Sequence, residues 1–209
     1  MTQRADRWSL VVPVKRVENA KTRLALDVEA RASLAVAMAV DTVAAALDCE
    51  LVANVVVVTD DARAREALEP LGVRIVPDEP DAGLNAALAH GVATASSGHV
   101  AALSSDLPAL RGKDLAVVLE QAADHDQSVV ADLPGAGTTL LCARSAALFA
   151  PRFGVASLAA HVAAGATDLT EIAPESVRRD VDTLDGLRAA IALGIGGATR
   201  RALAQVREV

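Results

Sequence analysis

Three aspartates and a short run of cations are the residues of this 209-residue chain whose types and spacing suit chemistry. Lys15, Arg16, Lys21 and Arg23 place four cations within nine residues of a chain whose net charge is −7. Ammonium and guanidinium groups at that density receive an anion, and a triphosphate is the natural guest. A solvated basic turn that offsets the acidic surface is the alternative. Asp106 stands in LSSDLPAL, and Asp180 and Asp182 stand in RRDVDT. If Asp180 and Asp182 close a strand, their side chains point to one face. A parallel sheet then brings Asp106 beside them. Three converging carboxylates repel one another unless a cation lies between them, and Mg²⁺ is the fitting one because it takes oxygen ligands and keeps waters and phosphate oxygens. Cations and Mg²⁺ around one crevice are what phosphoryl or nucleotidyl transfer needs. Each aspartate also has a plainer reading: Asp106 as an N-cap or turn residue before Pro108, Asp182 as the cap of a following helix, Asp180 as an ion-pair partner of Arg178 or Arg179.

The elements that must position these residues follow from hydrophobic pattern. Trp8 to Val14 is a short apolar run, predicted as a buried strand that stops at Lys15. Glu29 to Leu47 is Ala-rich and predicted as a helix. Leu51 to Thr59 carries four consecutive valines, which suit a strand covered on both faces. A short helix is expected from Asp60 and Asp61 to about Glu69, then a strand over Val73–Val76 and a loop over residues 77–83. A helix from Leu84 to about Ala95, a strand over His99–Leu103 and a helix over Gly112–Ala123 come next. Ser128–Asp132 and Thr138–Cys142 are expected to pair as an antiparallel hairpin across the turn at residues 133–137. Ser157–Ala164 is predicted as a helix and Val177–Val181 as a last strand. Two helices follow, Leu184–Leu193 and Ala198–Val206. Strands alternating with helices imply an α/β fold, a mostly parallel sheet with helices on both faces, organised as a single domain over residues 1–209. Ligands of such sheets bind beyond the carboxyl ends of the strands. The loops after Val14, Thr59, Val76, Leu103 and Val181 therefore matter.

Composition removes several classes. Aromatic residues are 1% of the chain (Trp8, Phe149, Phe153, no tyrosine), so a base-stacking nucleic-acid platform is excluded. The acidic balance also argues against binding a polyanion. Cys49 and Cys142 form no CxxC pair, so two reduced, buried thiols in a cytoplasmic protein are expected rather than a zinc site. The apolar stretch after residue 7 is too short for a signal-peptide core, and no apolar run is expected to reach the ~18 residues of a membrane span. Neither a Walker A loop nor a GxGxxG turn follows the first strand, and the glycines at 135–137 and 194–197 are expected at a turn and a helix boundary. The four histidines (His90, His99, His125, His161) show no paired spacing and are expected to be structural or surface residues.

Six segments together carry a family pattern: VVPVKRVENAKTRLA (11–25), LNAALAHG (84–91), LSSDLPAL (103–110), GAGTTLLCA (135–143), PRFG (151–154) and DVDT (180–183). Over about residues 8–195 the chain resembles the CofC/FbiD family, the guanylyltransferases of coenzyme F420 biosynthesis that act on phosphoenolpyruvate or 2-phospho-L-lactate. The resemblance implies a GT-A-like nucleotidyltransferase fold and transfer of GMP from GTP to phosphoenolpyruvate, giving enolpyruvyl-2-diphospho-5'-guanosine and pyrophosphate. 2-Phospho-L-lactate is the alternative acceptor. It also implies that Asp106, Asp180 and Asp182 hold Mg²⁺, that Thr138, Gly154 and Ser157 hold the phosphorylated acid, and that Lys15, Lys21 and Arg23 face the triphosphate. Asn85 is implied near the guanosine. Lys21, Arg23 and Asp106 are implied as catalytic, and a downstream transferase of the same pathway is an implied partner. One position departs from the pattern: Ser105 stands where family members often have glycine, so its side chain would crowd the nucleotide beside Asp106.

Beside that implication the residues speak for themselves. Thr138 and Ser157 hydroxyls and the Gly154 N–H are neutral donors suited to an anionic group, and Ser157 opens a predicted helix. A plain strand threonine, a turn glycine and an N-cap serine are the alternatives. The alternatives are another GT-A-like nucleotidyltransferase, of molybdopterin or sugar-phosphate type, and a non-catalytic nucleotide-binding regulatory domain. A glycosyltransferase would need a DxD where Ser104-Ser-Asp106 stands.

Overall fold

Strands rich in valine and helices rich in alanine build a sheet covered on both faces. The computed structural model describes residues 7–15, 24, 26–95 and 98–206. Its strands are β1 (Trp8–Pro13), β2 (Val52–Val58), β3 (Arg74–Val76), β4 (His99–Leu103), β5 (Gln127–Ala131), β6 (Thr138–Ala143) and β7 (Thr167–Asp168). They form one sheet in the order β3-β2-β1-β4-β6-β5-β7. β1 pairs in parallel with β2 and β4, β2 with β3, and β5 with β7. β6 is antiparallel to both β4 and β5. The expected α/β class and antiparallel hairpin are therefore present, with β6 wedged between β4 and β5.

The helices are α1 (Val28–Leu47), α2 (Ala62–Leu68), α3 (Leu84–Ala93), α4 (Gly112–Ala122), α5 (Ser157–Ala163), α6 (Glu175–Arg178), α7 (Leu184–Leu193) and α8 (Gly197–Gln205). Side chains alternate across a strand, so Val55 and Val57 of β2 join one core with α1 and α4, while Val56 and Val58 join another with α3. Gly91 lets α3 lie close on the second face. A Cβ there would stand 2.5 Å from Val11 Cγ1 and 2.8 Å from Val58 Cγ2.

α1 carries a third core on its other side, where Leu34, Ala37 and Met38 meet α7 and α8. Asp41 of α1 caps α8 from outside, accepting from Ala198 N–H at 2.9 Å and Thr199 N–H at 2.7 Å. By length and composition alone this 20-residue helix, with mean hydropathy 1.5, is apolar enough to cross a membrane, which corrects the sequence expectation. The residues that make it so are those that pack against the sheet on one side and α7 and α8 on the other.

Residues 177–181 are not a strand. Glu175–Arg178 form a single helical turn after Pro174, and an irregular segment continues to Thr183. Val177 and Val181 are both buried, four residues apart, but in different cores. The alternation of valines with charged residues thus reflects two separate anchors rather than one pleated face. The seventh strand is instead the two-residue β7, too short to show a period. Cys49 and Cys142 are unpaired and buried as expected, and burial pushes the Cys142 thiol up to about 12.

Gly91→Ala tests the close packing of α3. The stiff valines offer no rotamer escape, so overpacking of about 1–3 kcal/mol outweighs the ~1 kcal/mol that alanine gains as a helix former. Urea unfolding is expected to show a net loss of stability, and a gain would show that α3 moves freely on the sheet.

Candidate functional site

The reversed direction of β6 decides what meets at the carboxyl edge. Its first residue, Thr138, stands beside the last residues of β4, and Ser104 N–H donates to the Thr139 carbonyl at 2.8 Å. Asp106 lies two residues further on and is half-buried. Three outside contacts hold its backbone. The Thr42 hydroxyl on α1 accepts from Leu107 N–H at 3.0 Å and lies 3.2 Å from the Ser105 carbonyl, while its hydrogen is directed at 2.8 Å to the Met38 carbonyl of its own helix. Val181 N–H donates to the Asp106 carbonyl at 3.1 Å. That last bond sets Asp106 within one residue of both Asp180 and Asp182.

The three aspartates thus share a neighbourhood without the strand geometry expected of them. Asp180 is half-buried and Asp182 exposed. Among the described residues no group of three or more His, Cys, Asp or Glu is arranged to hold one ion. The donor set nevertheless suits Mg²⁺, which is bound by one or two carboxylates completed by water and phosphate oxygens rather than by an all-protein cage. Thr183, not Asp182, caps α7, accepting from Gly186 N–H at 3.1 Å. The Arg179 guanidinium bonds Glu175 at 2.7 Å. Arg178 donates to the carbonyls of Asp132 at 3.0 Å and Ala131 at 3.3 Å, tying the 178–182 segment to the carboxyl end of β5.

Thr138 and Ser157 also meet here. Both are buried, and the Ser157 hydroxyl donates to Thr138 Oγ1 at 3.0 Å. Ser157 is the first residue of α5 rather than its cap, so its hydroxyl is directed to the strand instead of to its own helix. Leu158 N–H donates to the Ala136 carbonyl at 3.2 Å, joining α5 to the turn that precedes β6. Gly154, three residues before Ser157, has φ +147°, a backbone conformation that side chains resist. The preceding residue is clamped by Asn85: its amide accepts from Phe153 N–H at 2.8 Å and donates to the Phe153 carbonyl at 3.0 Å. Asn85 thus shapes the 151–154 loop, and both ends of its amide are engaged there.

Lys15 faces a different part of the same edge. It lines a cavity of about 270 Å³ beyond the ends of β1, β2 and β3, with Asp60, Asp78, Asp81, Gly83 and Leu84. Burial and then the charges of Asp60 and Asp81 raise the Asp78 carboxyl above its ordinary value, against the opposing pull of Lys15 and His90. Arg16, Lys21 and Arg23 lie outside the described residues.

Thr42, Arg178 and His161 are site residues that sequence reasoning missed. The contacts of Thr42 with Ser105 and Leu107 and those of Arg178 with Ala131 and Asp132 are made over 46 residues or more, and those of His161 include one over 23. No local pattern signals them.

A mostly parallel sheet with one antiparallel insertion and a polar carboxyl edge defines a nucleotidyltransferase-type fold. It matches a nucleotidyl transferase from Methanothermobacter thermautotroptrophicus with a TM-score of 0.66 and 21% identity, covering 90% of this chain and 97% of that one. A CMP:2-keto-3-deoxy-manno-octonic acid synthetase complexed with CTP matches with a TM-score of 0.56 and 16% identity, over 90% and 99% of the two chains. The family model described as guanylyl transferase CofC like covers residues 8–206, and the chain belongs to that family. Among its relatives, the phosphoenolpyruvate guanylyltransferase of Thermomonospora curvata is 53% identical over 92% of this chain and 86% of its own length. That of Streptomyces coelicolor is 50% identical over 95% and 97%.

Thr42→Val keeps the shape of the side chain and removes the acceptor for Leu107 N–H. Denaturant unfolding is expected to show a loss of about 1–3 kcal/mol for the stranded donor, with Thr42→Ser losing less than half as much. Equal stability of the valine variant and the native protein would remove Thr42 from the support of Asp106.

Proposed function

We propose that this chain transfers GMP from GTP to phosphoenolpyruvate, forming enolpyruvyl-2-diphospho-5'-guanosine and pyrophosphate in coenzyme F420 biosynthesis. The observation that carries the reading is the meeting, at one sheet edge, of Asp106 and the 180–182 segment with the Thr138–Ser157 pair. Nucleotide phosphates and a small phosphorylated acid are the two reactants such an edge has to join. The Thermomonospora and Streptomyces relatives, named for phosphoenolpyruvate, favour that acceptor over 2-phospho-L-lactate.

The reaction needs little from the protein beyond placement and charge. A phosphate oxygen of the acid attacks the α-phosphorus of GTP, a new P–O bond forms, and the bond to the β-phosphate oxygen breaks in line. The acid's phosphate is already ionised near neutral pH, so no protein base is required. Pyrophosphate leaves carrying the displaced electron pair. Thr138, Ser157 and the Gly154 N–H are donors for the acid, and the engaged Asn85 keeps the 151–154 loop in shape. Lys15, Lys21 and Arg23 are the cations we assign to the triphosphate, as the family resemblance implies. Asp106, Asp180 and Asp182 are the residues that would hold Mg²⁺, which supplies positive charge at the reacting phosphates when bound. We read the enzyme as cytoplasmic, in keeping with its two buried reduced thiols. A downstream transferase of the same pathway is the partner that would take up the diphosphate product.

Pyrophosphate release with GTP and each acid, followed by mass analysis of the product, tests the assignment. Phosphoenolpyruvate is expected to support turnover and 2-phospho-L-lactate to be the poorer acceptor; the reverse order would reassign the substrate. Asp106→Asn is expected to lower kcat by roughly 10²-fold, as removal of a charge-stabilising group does. Turnover and magnesium dependence that both survive the change would overturn the role of Asp106.

A further inference from the structure

We infer that His161 is a positioning residue of the acceptor site, setting the Thr138–Ser157 hydroxyl pair so that one O–H is always left to face the anionic group of the acid. This rests on the reading of Thr138, Gly154 and Ser157 as the acid's site. His161 is fully buried on α5. Its Nε2 accepts from Arg152 N–H at 2.8 Å, and its Nδ1 lies 3.2 Å from Thr138 Oγ1. The Phe153 ring packs edge-on against it, with centroids 5.1 Å apart.

A count of hydrogens gives the consequence. A backbone N–H can only donate, so Nε2 must be bare and the neutral ring carries its hydrogen on Nδ1. Nδ1 therefore cannot accept from Thr138; it is the donor in the 3.2 Å contact with Thr138 Oγ1. Thr138 and Ser157 hold two hydroxyl hydrogens and share one between them at 3.0 Å. The second has no acceptor in this triad, whichever way the pair is oriented. An anion accepts and cannot donate, so a donor held in surplus is what its site requires. The same ring fixes Arg152 N–H, and with Asn85 on Phe153 it fastens both residues that lead into Gly154.

The protonation state agrees. Burial lowers the His161 pKa first, the charge of Arg152 adds to this, and the Ser157 carbonyl opposes it. Arg152 is the charged group that faces the ring; Thr138 of β6, Ser157 of α5 and Phe153 are neutral. The native state then binds fewer protons than the unfolded chain between the lowered value and the ordinary 6.5. The ring's contribution is complete above that window and is lost as pH falls through it, because a second proton on Nε2 would expel Arg152 N–H.

Steady-state kinetics of His161→Asn, which keeps a donor near the Nδ1 position, and of His161→Ala test the inference. Wild-type turnover with GTP and each acid is measured first and judges the functional reading by itself; the better acid is then used throughout. His161→Ala is expected to raise the KM for that acid about tenfold or more while the KM for GTP stays within twofold, and His161→Asn is expected to recover most of the loss. The acid's KM should rise below pH 6.5 more steeply in the wild type than in His161→Asn, whose side chain does not titrate. A well-folded alanine variant with an unchanged KM for the acid would falsify the inference, as would equal rises for both substrates. If the alanine variant does not fold, identical pH profiles for the wild type and His161→Asn overturn it instead.

Discussion

Because β6 hydrogen-bonds antiparallel to β4 on one side and to β5 on the other, its first residue rather than its last stands at the carboxyl edge of the sheet. In a purely parallel sheet that position would hold the end of a strand, with its side chains leading into a crossover helix. Here the turn at 132–137 sits at the edge instead and delivers Thr138 beside β4. The Asp132 carboxylate closes that turn by accepting from Ala136 and Gly137 N–H, both at 2.9 Å. α5 then docks its first residue on Thr138, and Arg178 reaches the same edge from the far side.

Most polar side chains around the edge serve the backbone. Thr42 holds Leu107 beside Asp106, Asn85 holds Phe153, His161 holds Arg152, and Arg178 holds Ala131 and Asp132. Hydrogen bonds of this kind preorganise the described edge, and preorganised groups are how charge stabilisation avoids reorganisation during reaction. The core behind it is assembled from Ala, Val and Leu with almost no aromatic rings. Small side chains let helices approach the sheet closely, as α3 does at Gly91, and close packing transmits little slack to the edge.

The strands and helices that sequence pattern identified are those whose signal is local. Val55–Val58 and Leu10–Val12 are runs buried on both faces, and Asp61 and Asp27 cap helices through contacts three residues away. Residues 177–181 were misleading for a definite reason. Val177 and Val181 look like two teeth of one strand, yet Pro174 starts a helical turn and the two valines enter different cores. β7 is two residues long and exists only because β5 offers an edge.

Asp106, Thr138, Asp180 and Asp182 were legible as candidates because each stands in a contiguous motif, and the six segments sufficed to point to the CofC family. The sequence by itself also determined the alternation of strand and helix, since burial on two faces leaves an unbroken apolar run. Only the tertiary structure decided which edge these residues share and which side chains hold them. Val181 meets Asp106 across 75 positions and Asn85 meets Phe153 across 68. A hydrogen bond of that span leaves no periodicity in the chain, because its geometry is set by the direction of a strand that belongs to neither partner.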